Sequence, residues 1–293
     1  MGAIFPPESG RDPHFLAGPL EQAAKHPRAA YPVGMSLIEA TWTLYRDSAA
    51  DAFKGLGRSV WAVVALLLAY VVLAVAGMIG GRLGIVGGFL VGFVQAGVIG
   101  WYLSLVAIGV IGRRRVQLSD LREHIGSLFI EVISVLFVFF IASLLLRSTS
   151  PQLALIATIL ATLLFNPIPE MVYQERADGG LALLGESLRF MQHNWPEWLG
   201  AMVIGAGFLA GWGVVVFGAV GLTLALTLVQ AFGPFFGFIT VGSYALTGLD
   251  PLHFGGALVL LAFTHWFLLF RGHLYRRLSG SSRRARAWRS RMS

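Results

Sequence analysis

The chain has 293 residues, of which 56% are hydrophobic and 13% are charged, and its mean hydropathy is +0.72. Soluble domains carry about 25% charged residues, so this composition excludes an ordinary soluble protein. The absence of cysteine excludes a disulfide framework and thiolate metal sites. The net charge of +7 comes from the C-terminus, because residues 271–293 hold eight arginines and no acidic residue.

Residues 1–35 combine prolines with mixed polarity, which predicts a flexible N-terminal tail. An amphipathic helix is predicted next, because apolar residues recur at spacings of three and four. Ser36 and Glu39 have the spacing of a capping box at its start. We expect this helix to lie in the membrane interface, with an apolar stripe of Ile38, Trp42, Tyr45, Ala49, Phe53 and Leu56.

Two apolar runs follow, at 59–80 and at about 84–112. Each is long enough for a transmembrane helix, which needs about 20 residues. Gly84, Gly88 and Gly92 recur every four positions in the second run. Small residues on one face let helix backbones approach closely, so this face is predicted to pack against another helix.

A second amphipathic helix is predicted before the next two apolar runs, 127–146 and 152–169. The run 127–146 contains one charged residue, Glu131. An ionisable residue within a span is a candidate functional group, although Glu131 lies only one turn inside the run, where water is within reach. The apolar stripe of the amphipathic helix consists of Leu118, Leu121, Ile125 and Phe129.

The run 152–169 ends in the sequence NPIPE, residues 166–170. The residue before a proline avoids the α conformation, so Asn166 and Ile168 are predicted to be extended and the helix to end near Asn166. Glu170 is then expected in water at the cytoplasmic surface. The alternative interpretation makes Asn166 and Glu170 polar groups at the mouth of a cavity.

A third amphipathic helix precedes 52 positions without a charged side chain, 198–249. Because Gly and Pro at 233–234 interrupt this stretch, we expect one long helix followed by an outside loop or a partly inserted segment. The last span, 254–270, has His265 as its one ionisable group, and a structural hydrogen bond explains this histidine as well as a proton relay does. The third amphipathic stripe consists of Leu181, Leu184, Leu188 and Met191.

These elements predict an all-α, polytopic membrane protein with about six transmembrane helices. They form three repeats of an interfacial helix followed by a helical hairpin. The membrane domain covers 36–277, and 278–293 form a basic cytoplasmic tail. Both termini are predicted to be cytoplasmic by the positive-inside rule, because one side collects Lys54, Arg58, Arg113–Arg115, Arg122, Arg176, Arg189 and the tail.

A cluster of arginines directly after an apolar helix is typical of binding to anionic lipid headgroups rather than to nucleic acid. The lipid bilayer and its anionic lipids are therefore the predicted partners. A membrane-protein partner or a second copy of the chain is a further candidate. The residues predicted to contact headgroups are Arg276, Arg277, Arg283, Arg284 and Arg286.

The stretch that begins at NPIPE resembles the YciC-like group of bacterial membrane proteins, and it is similar to the membrane region of some glycerophosphodiester phosphodiesterases. The resemblance covers about 160–215. The pattern "AL..S..FM..N" is carried by Ala182–Leu183, Ser187, Phe190–Met191 and Asn194. The resemblance implies a six-span fold with interfacial helices in the bacterial inner membrane. It implies no activity, because the group has none firmly assigned. The phosphodiesterase activity is not implied either, because the catalytic part is absent here.

The sequence contains no motif of a metalloprotease, serine hydrolase, P-loop or dinucleotide site, and its seven histidines are scattered. We therefore expect no enzymatic activity, no cofactor and no metal. The hypothesis favoured by the sequence is a membrane scaffold or accessory subunit. The alternative is a transporter or channel for lipid or a small solute. Its cavity between the repeats would be lined by Asn166, Glu170, Glu131 and His265.

Overall fold

The structure is a computed structural model that describes residues 37–112, 114–147, 150–174, 179–231 and 251–279. Within these ranges the secondary structure is helical throughout, without strands, as predicted. The helices are α1 (Leu37–Arg58), α2 (Val60–Gly80), α3 (Gly84–Ala107), α4 (Leu118–Glu123), α5 (Phe129–Arg147), α6 (Pro151–Leu164), α7 (Ile168–Gln174), α8 (Gly180–Ala231) and α9 (Pro251–Ser279). A π-helical turn, Ile108–Gly112, extends α3.

Local signals explain several helix starts. Ser150 accepts a hydrogen bond from the N–H of Leu153, and Pro151 occupies the first turn of α6, where its missing N–H is tolerated. Gln117 and Asp120 form a reciprocal capping box at the start of α4. The capping box predicted at Ser36 lies outside the described residues.

Four stretches in the described part of the chain are long and apolar enough to cross a membrane: Val60–Gly80, Val86–Gly112, Phe129–Leu146 and Gln152–Gln174. The protein therefore has the character of a membrane protein. In α8, the third predicted amphipathic segment and the following apolar run form one continuous helix that contains Pro196. Most of the predicted outside loop or inserted segment, residues 232–250, lies outside the described residues.

Burial is concentrated at one end of the helices, here called the packed end. It comprises α1, the residues 96–112 of α3 and its π-helical turn, α7, the residues 180–202 of α8 and the residues 261–279 of α9. The remaining helix surfaces expose large apolar side chains, among them Val86 (72%), Leu145 (68%) and Val203 (70%). Contiguous exposed apolar surface of this kind fits contact with lipid chains.

Helix α9 is the centre of the packed end. It runs antiparallel to α8, because Phe208 stacks on Phe263 at 4.1 Å whereas Trp198 contacts Tyr275, twelve residues further along α9. Between these two contacts, the Cα of Gly205 lies directly against the ring of Phe267.

The second half of α1 also runs antiparallel to α9. Arg277 binds Asp51, and the side chain of Leu269 lies against Gly55. The face that α1 buries consists of small residues and one leucine: Leu44, Ser48, Ala52 and Gly55. In the stripe predicted to lie in the membrane interface, Ile38, Trp42 and Phe53 are 82%, 64% and 63% exposed, whereas Tyr45, Ala49 and Leu56 pack partly against the core.

Helices α2 and α3 form a hairpin with close backbone contact. A Cβ on Gly87 would lie 1.8 Å from the carbonyl oxygen of Gly80, so only glycine fits there. Gly84 adopts φ +57° where the hairpin turns. The predicted packing face is wrong for Gly88 and Gly92, because no atom lies within 4 Å of where their Cβ atoms would be.

Candidate functional site

The NPIPE stretch is a break between two helices. Helix α6 ends at Leu164 and α7 begins at Ile168, which confirms a helix end close to Asn166. The predicted extended backbone is wrong, because 165–167 form a turn and Ile168 is already helical. Pro169 lies in the first turn of α7, where the N–H groups have no intrahelical acceptor and the missing N–H costs little.

Side chains from α8 and α9 satisfy the carbonyl groups that this break leaves free. Ser187 Oγ donates to the carbonyl oxygen of Leu164 at 2.7 Å. Arg271 Nη2 donates to the carbonyl oxygen of Asn166, also at 2.7 Å. Buried carbonyl groups without a donor are costly, so these contacts make the break tolerable inside a packed structure.

Glu170 is fully buried, and the expectation that it lies in water is wrong. Its exposed fraction is 0%, and that of Arg271 is 4%. Arg271 Nη2 donates to Glu170 Oε2 at 2.8 Å. Arg271 Nε also lies 2.8 Å from Glu170 Oε1. This second contact is an ion pair without a hydrogen bond, because the N–H does not point at the oxygen. The carboxylate is buried because the guanidinium group of α9 replaces water as its partner.

Trp198 completes this group of residues. Its Nε1–H donates to Asn166 Oδ1 at 3.0 Å, and its ring lies 5.4 Å from the Arg271 guanidinium carbon, within cation–π range. We call Asn166, Glu170, Trp198 and Arg271 the Arg271 cluster. Each member is exposed by 4% or less, so the cluster is closed to water. It joins α7, α8 and α9 at the helix break.

His265 belongs to a second buried group. Its Nδ1 lies 2.7 Å from the Tyr102 hydroxyl and its Nε2 lies 2.7 Å from Ser59 Oγ. Because the Ser59 hydroxyl donates its one proton to the carbonyl oxygen of Gly55, we assign the imidazole proton to Nε2 and the acceptor to Nδ1. Both imidazole nitrogens then have partners with His265 neutral, as the structural interpretation of this residue requires.

The four predicted cavity residues therefore do not form one site. Asn166 and Glu170 lie together in the Arg271 cluster, His265 lies between α1 and α3, and Glu131 is half-buried in the first turn of α5. A cavity of about 20 Å³ lies instead between α2 and α3, beside Tyr70 and other apolar residues. Such a volume holds about one water molecule.

Two predicted headgroup residues make contacts within the protein. Arg277 binds Asp51 at 2.6 Å and Asp47 at 3.8 Å, and Arg276 donates to the carbonyl oxygen of Val110 at 3.4 Å. Burial opposes ionisation of Asp51, but the hydrogen bond from Arg277 and nearby positive charges outweigh it and lower the pKa. Arg276 and Arg277 thus have partners within the protein, and their contact with headgroups stays a prediction. Arg283, Arg284 and Arg286 lie outside the described residues.

Sequence reasoning missed Arg271 and Trp198. Arg271 was counted with the basic tail, although it directly follows an apolar run just as Glu170 does. A lone acid and a lone base at the ends of two apolar runs are a signal for a buried ion pair. Among the described residues, no group of three His, Asp or Glu side chains is placed to hold a metal ion.

Comparisons of the chain with known protein families, with curated proteins and with solved structures find no match. In the part of the chain that the structure describes, the carboxylate and the guanidinium group of the Arg271 cluster are buried against each other. Its hydrogen bonds connect α7, α8 and α9.

Proposed function

We propose that the protein is a multi-pass protein of the bacterial inner membrane that acts as a scaffold or accessory subunit, packing against membrane partners and anionic lipid. The observation that carries this proposal is the closed Arg271 cluster. A carrier with a cavity at Asn166 and Glu170 needs these groups to be open to water, whereas they are exposed by 3% and 0%. The resemblance over 160–215 to the YciC-like group supports the bacterial inner membrane.

The contacts at the packed end support six spans with both termini on the cytoplasmic side. The π-helical turn after α3 and the end of α7 both lie beside the end of α9, because Arg276 contacts Val110 and Gln174 donates to the carbonyl oxygen of Gly272. Most buried residues of α2 lie in its first half, and those of α5 lie in its first two turns, so both helices begin at this end. This alternation is the one expected of three successive hairpins.

The order of the helices along the chain supports the proposed organisation in three repeats. Helix α1 ends one residue before α2, and α4 precedes α5 by a short turn. In the third unit, the amphipathic part and the apolar part of α8 are continuous. Three units of an amphipathic helix and a hairpin account for this order of elements.

Cysteine accessibility tests the closed interior directly, because the chain has no native cysteine. Asn166→Cys in proteoliposomes is expected to resist a water-soluble thiol reagent until the protein is denatured. Ser119→Cys, at an exposed position of α4, is the matched control and is expected to react at once. Rapid labelling of Asn166→Cys in the folded protein would favour the transporter instead.

Membrane sidedness is tested with the same approach in intact cells. Ser119→Cys and Ser293→Cys are expected to be protected from an impermeant reagent, and Leu83→Cys, in the α2–α3 turn, is expected to react. Partners are then sought by photo-crosslinking from Val215, whose side chain is 79% exposed. A scaffold gives a discrete protein adduct, and lipid contact alone gives none.

A further inference from the structure

Two segments that are far apart in the sequence meet at the end of α1. The N–H of Val116 donates to the carbonyl oxygen of Arg58 at 2.9 Å, which fixes the loop before α4 against the last turn of α1. Trp101 Nε1 donates to the carbonyl oxygen of Leu121 at 2.7 Å and holds α4 against α3. The segments 54–58 and 114–123 therefore form one surface, here called the basic patch.

The basic patch has an excess of positive charge. It contains five basic residues and two acidic ones, which leaves a net charge of +3. The acid Asp120 is already neutralised, because Arg114 binds both of its oxygens at 2.7 and 2.8 Å. Glu123 is exposed. The basic residues of the patch are Lys54, Arg58, Arg114, Arg115 and Arg122.

Large apolar side chains lie beside these charges. Phe53, Leu118 and Ile125 are 63%, 60% and 70% exposed. The lipid-facing surface of α2 begins immediately after the patch, since Val60 is 61% exposed. Exposed apolar side chains next to basic ones, continuous with a transmembrane surface, are the arrangement that binds the headgroup region of an anionic membrane.

We infer that the basic patch is the binding surface for an anionic lipid leaflet, with its cations on the lipid phosphates and its apolar side chains among the upper acyl carbons. This inference rests on the proposed membrane location and moves lipid recognition from the end of α9 to α1 and α4. Charge complementarity and continuity with α2 select the leaflet as the occupant. Arg276 and Arg277 are unsuited to the role because they hold α9 against α3 and α1.

The test compares two double variants of the full chain with equal net charge. Arg115→Gln with Arg122→Gln removes two exposed charges from the patch. Arg46→Gln with Arg82→Gln removes two exposed charges outside it. Each purified protein is titrated in zwitterionic micelles with phosphatidylglycerol, and binding is followed by the thermal midpoint of unfolding. Monodispersity without phosphatidylglycerol confirms that each variant is folded.

Phosphatidylglycerol is expected to stabilise the native protein, with an effect that weakens in high salt. A basic residue near an anionic surface contributes about fivefold in affinity. The patch variant loses two of them and is expected to need several-fold, and up to about 25-fold, more lipid. The control variant is expected to match the native protein. Equal titrations for both variants would overturn the inference, as would equal stabilisation by inorganic phosphate. Loss of membrane insertion would instead contradict the proposed function.

Discussion

Neutralising Glu170 is expected to destabilise the protein strongly. Glu170→Gln keeps the size of the side chain but leaves the charge of Arg271, which is 4% exposed, without its anion. Removing one partner of a buried ion pair costs about 3–5 kcal/mol, because the remaining charge is neither hydrated nor paired. A glutamate in water, as the sequence predicts, would tolerate this substitution, whereas a buried ion pair does not.

A double-mutant cycle isolates the interaction. Arg271→Met is expected to cost at least as much as Glu170→Gln, because it also removes the donor to the carbonyl oxygen of Asn166, worth about 1–3 kcal/mol. The cycle compares Glu170→Met, Arg271→Met and the double variant that combines the two, which leaves no buried charge unpaired. The double variant should therefore be more stable than Arg271→Met alone, with a coupling free energy of about 2–3 kcal/mol.

The assay is the free energy of unfolding in mixed micelles of mild detergent and dodecyl sulfate, with the thermal midpoint as a second measure. Glu186→Gln is the matched control: it breaks an ion pair of 2.7 Å with Arg189, but both side chains are well exposed. An exposed pair contributes about 0–1 kcal/mol. If Glu170→Gln is as mild as Glu186→Gln, or if the double variant shows no coupling, the reasoning about the buried pair is refuted.

Two further predictions concern the hairpin and α4. Gly87→Ala is expected to lower the thermal midpoint of unfolding clearly, because the added Cβ pushes α2 away from α3. Gly88→Ala is the control and should leave the midpoint unchanged, because its Cβ meets nothing within 4 Å. Equal midpoints for the two variants would contradict the close approach of the helices. The hydrogen bond from Arg114 lowers the pKa of Asp120, so its stabilisation is complete above the ordinary value of 3.8 and is lost as pH falls through the lower folded value. Asp120→Asn is expected to cost about 1 kcal/mol at neutral pH, as for a lost helix cap, and to flatten the acid dependence of the midpoint; an unchanged pH profile would exclude this role.

The sequence predicts helices well in this chain, because long apolar runs and helical periodicity are local properties. It predicts packing faces poorly. In a membrane protein, apolar side chains face lipid as well as the core, so hydrophobicity does not identify the buried side. Helix α1 illustrates this, since its small residues Ser48 and Ala52 are buried, whereas Trp42 and Phe53 are exposed.

The candidate site was predictable in part. The prolines at 167 and 169 locate the helix break, because their effect on the backbone is local. The partner of Glu170 is 101 residues away in the sequence, and only the tertiary arrangement of α7 and α9 brings it into contact. The interpretation of Glu170 as a hydrated residue failed for this reason. The chemistry of a charge depends on its neighbours in space.

The distance in sequence between Glu170 and Arg271 also orders the events of biosynthesis. Ribosomes add about 5–20 residues per second, so the carboxylate is made about 5–20 seconds before its cation. Throughout that interval the helices already made carry an acidic group whose cation has not yet been synthesised. The packed end can close only when the final helix arrives, which makes insertion of α9 the committing step of assembly. A chain that stops short of α9 is therefore expected to leave Glu170 without its cation.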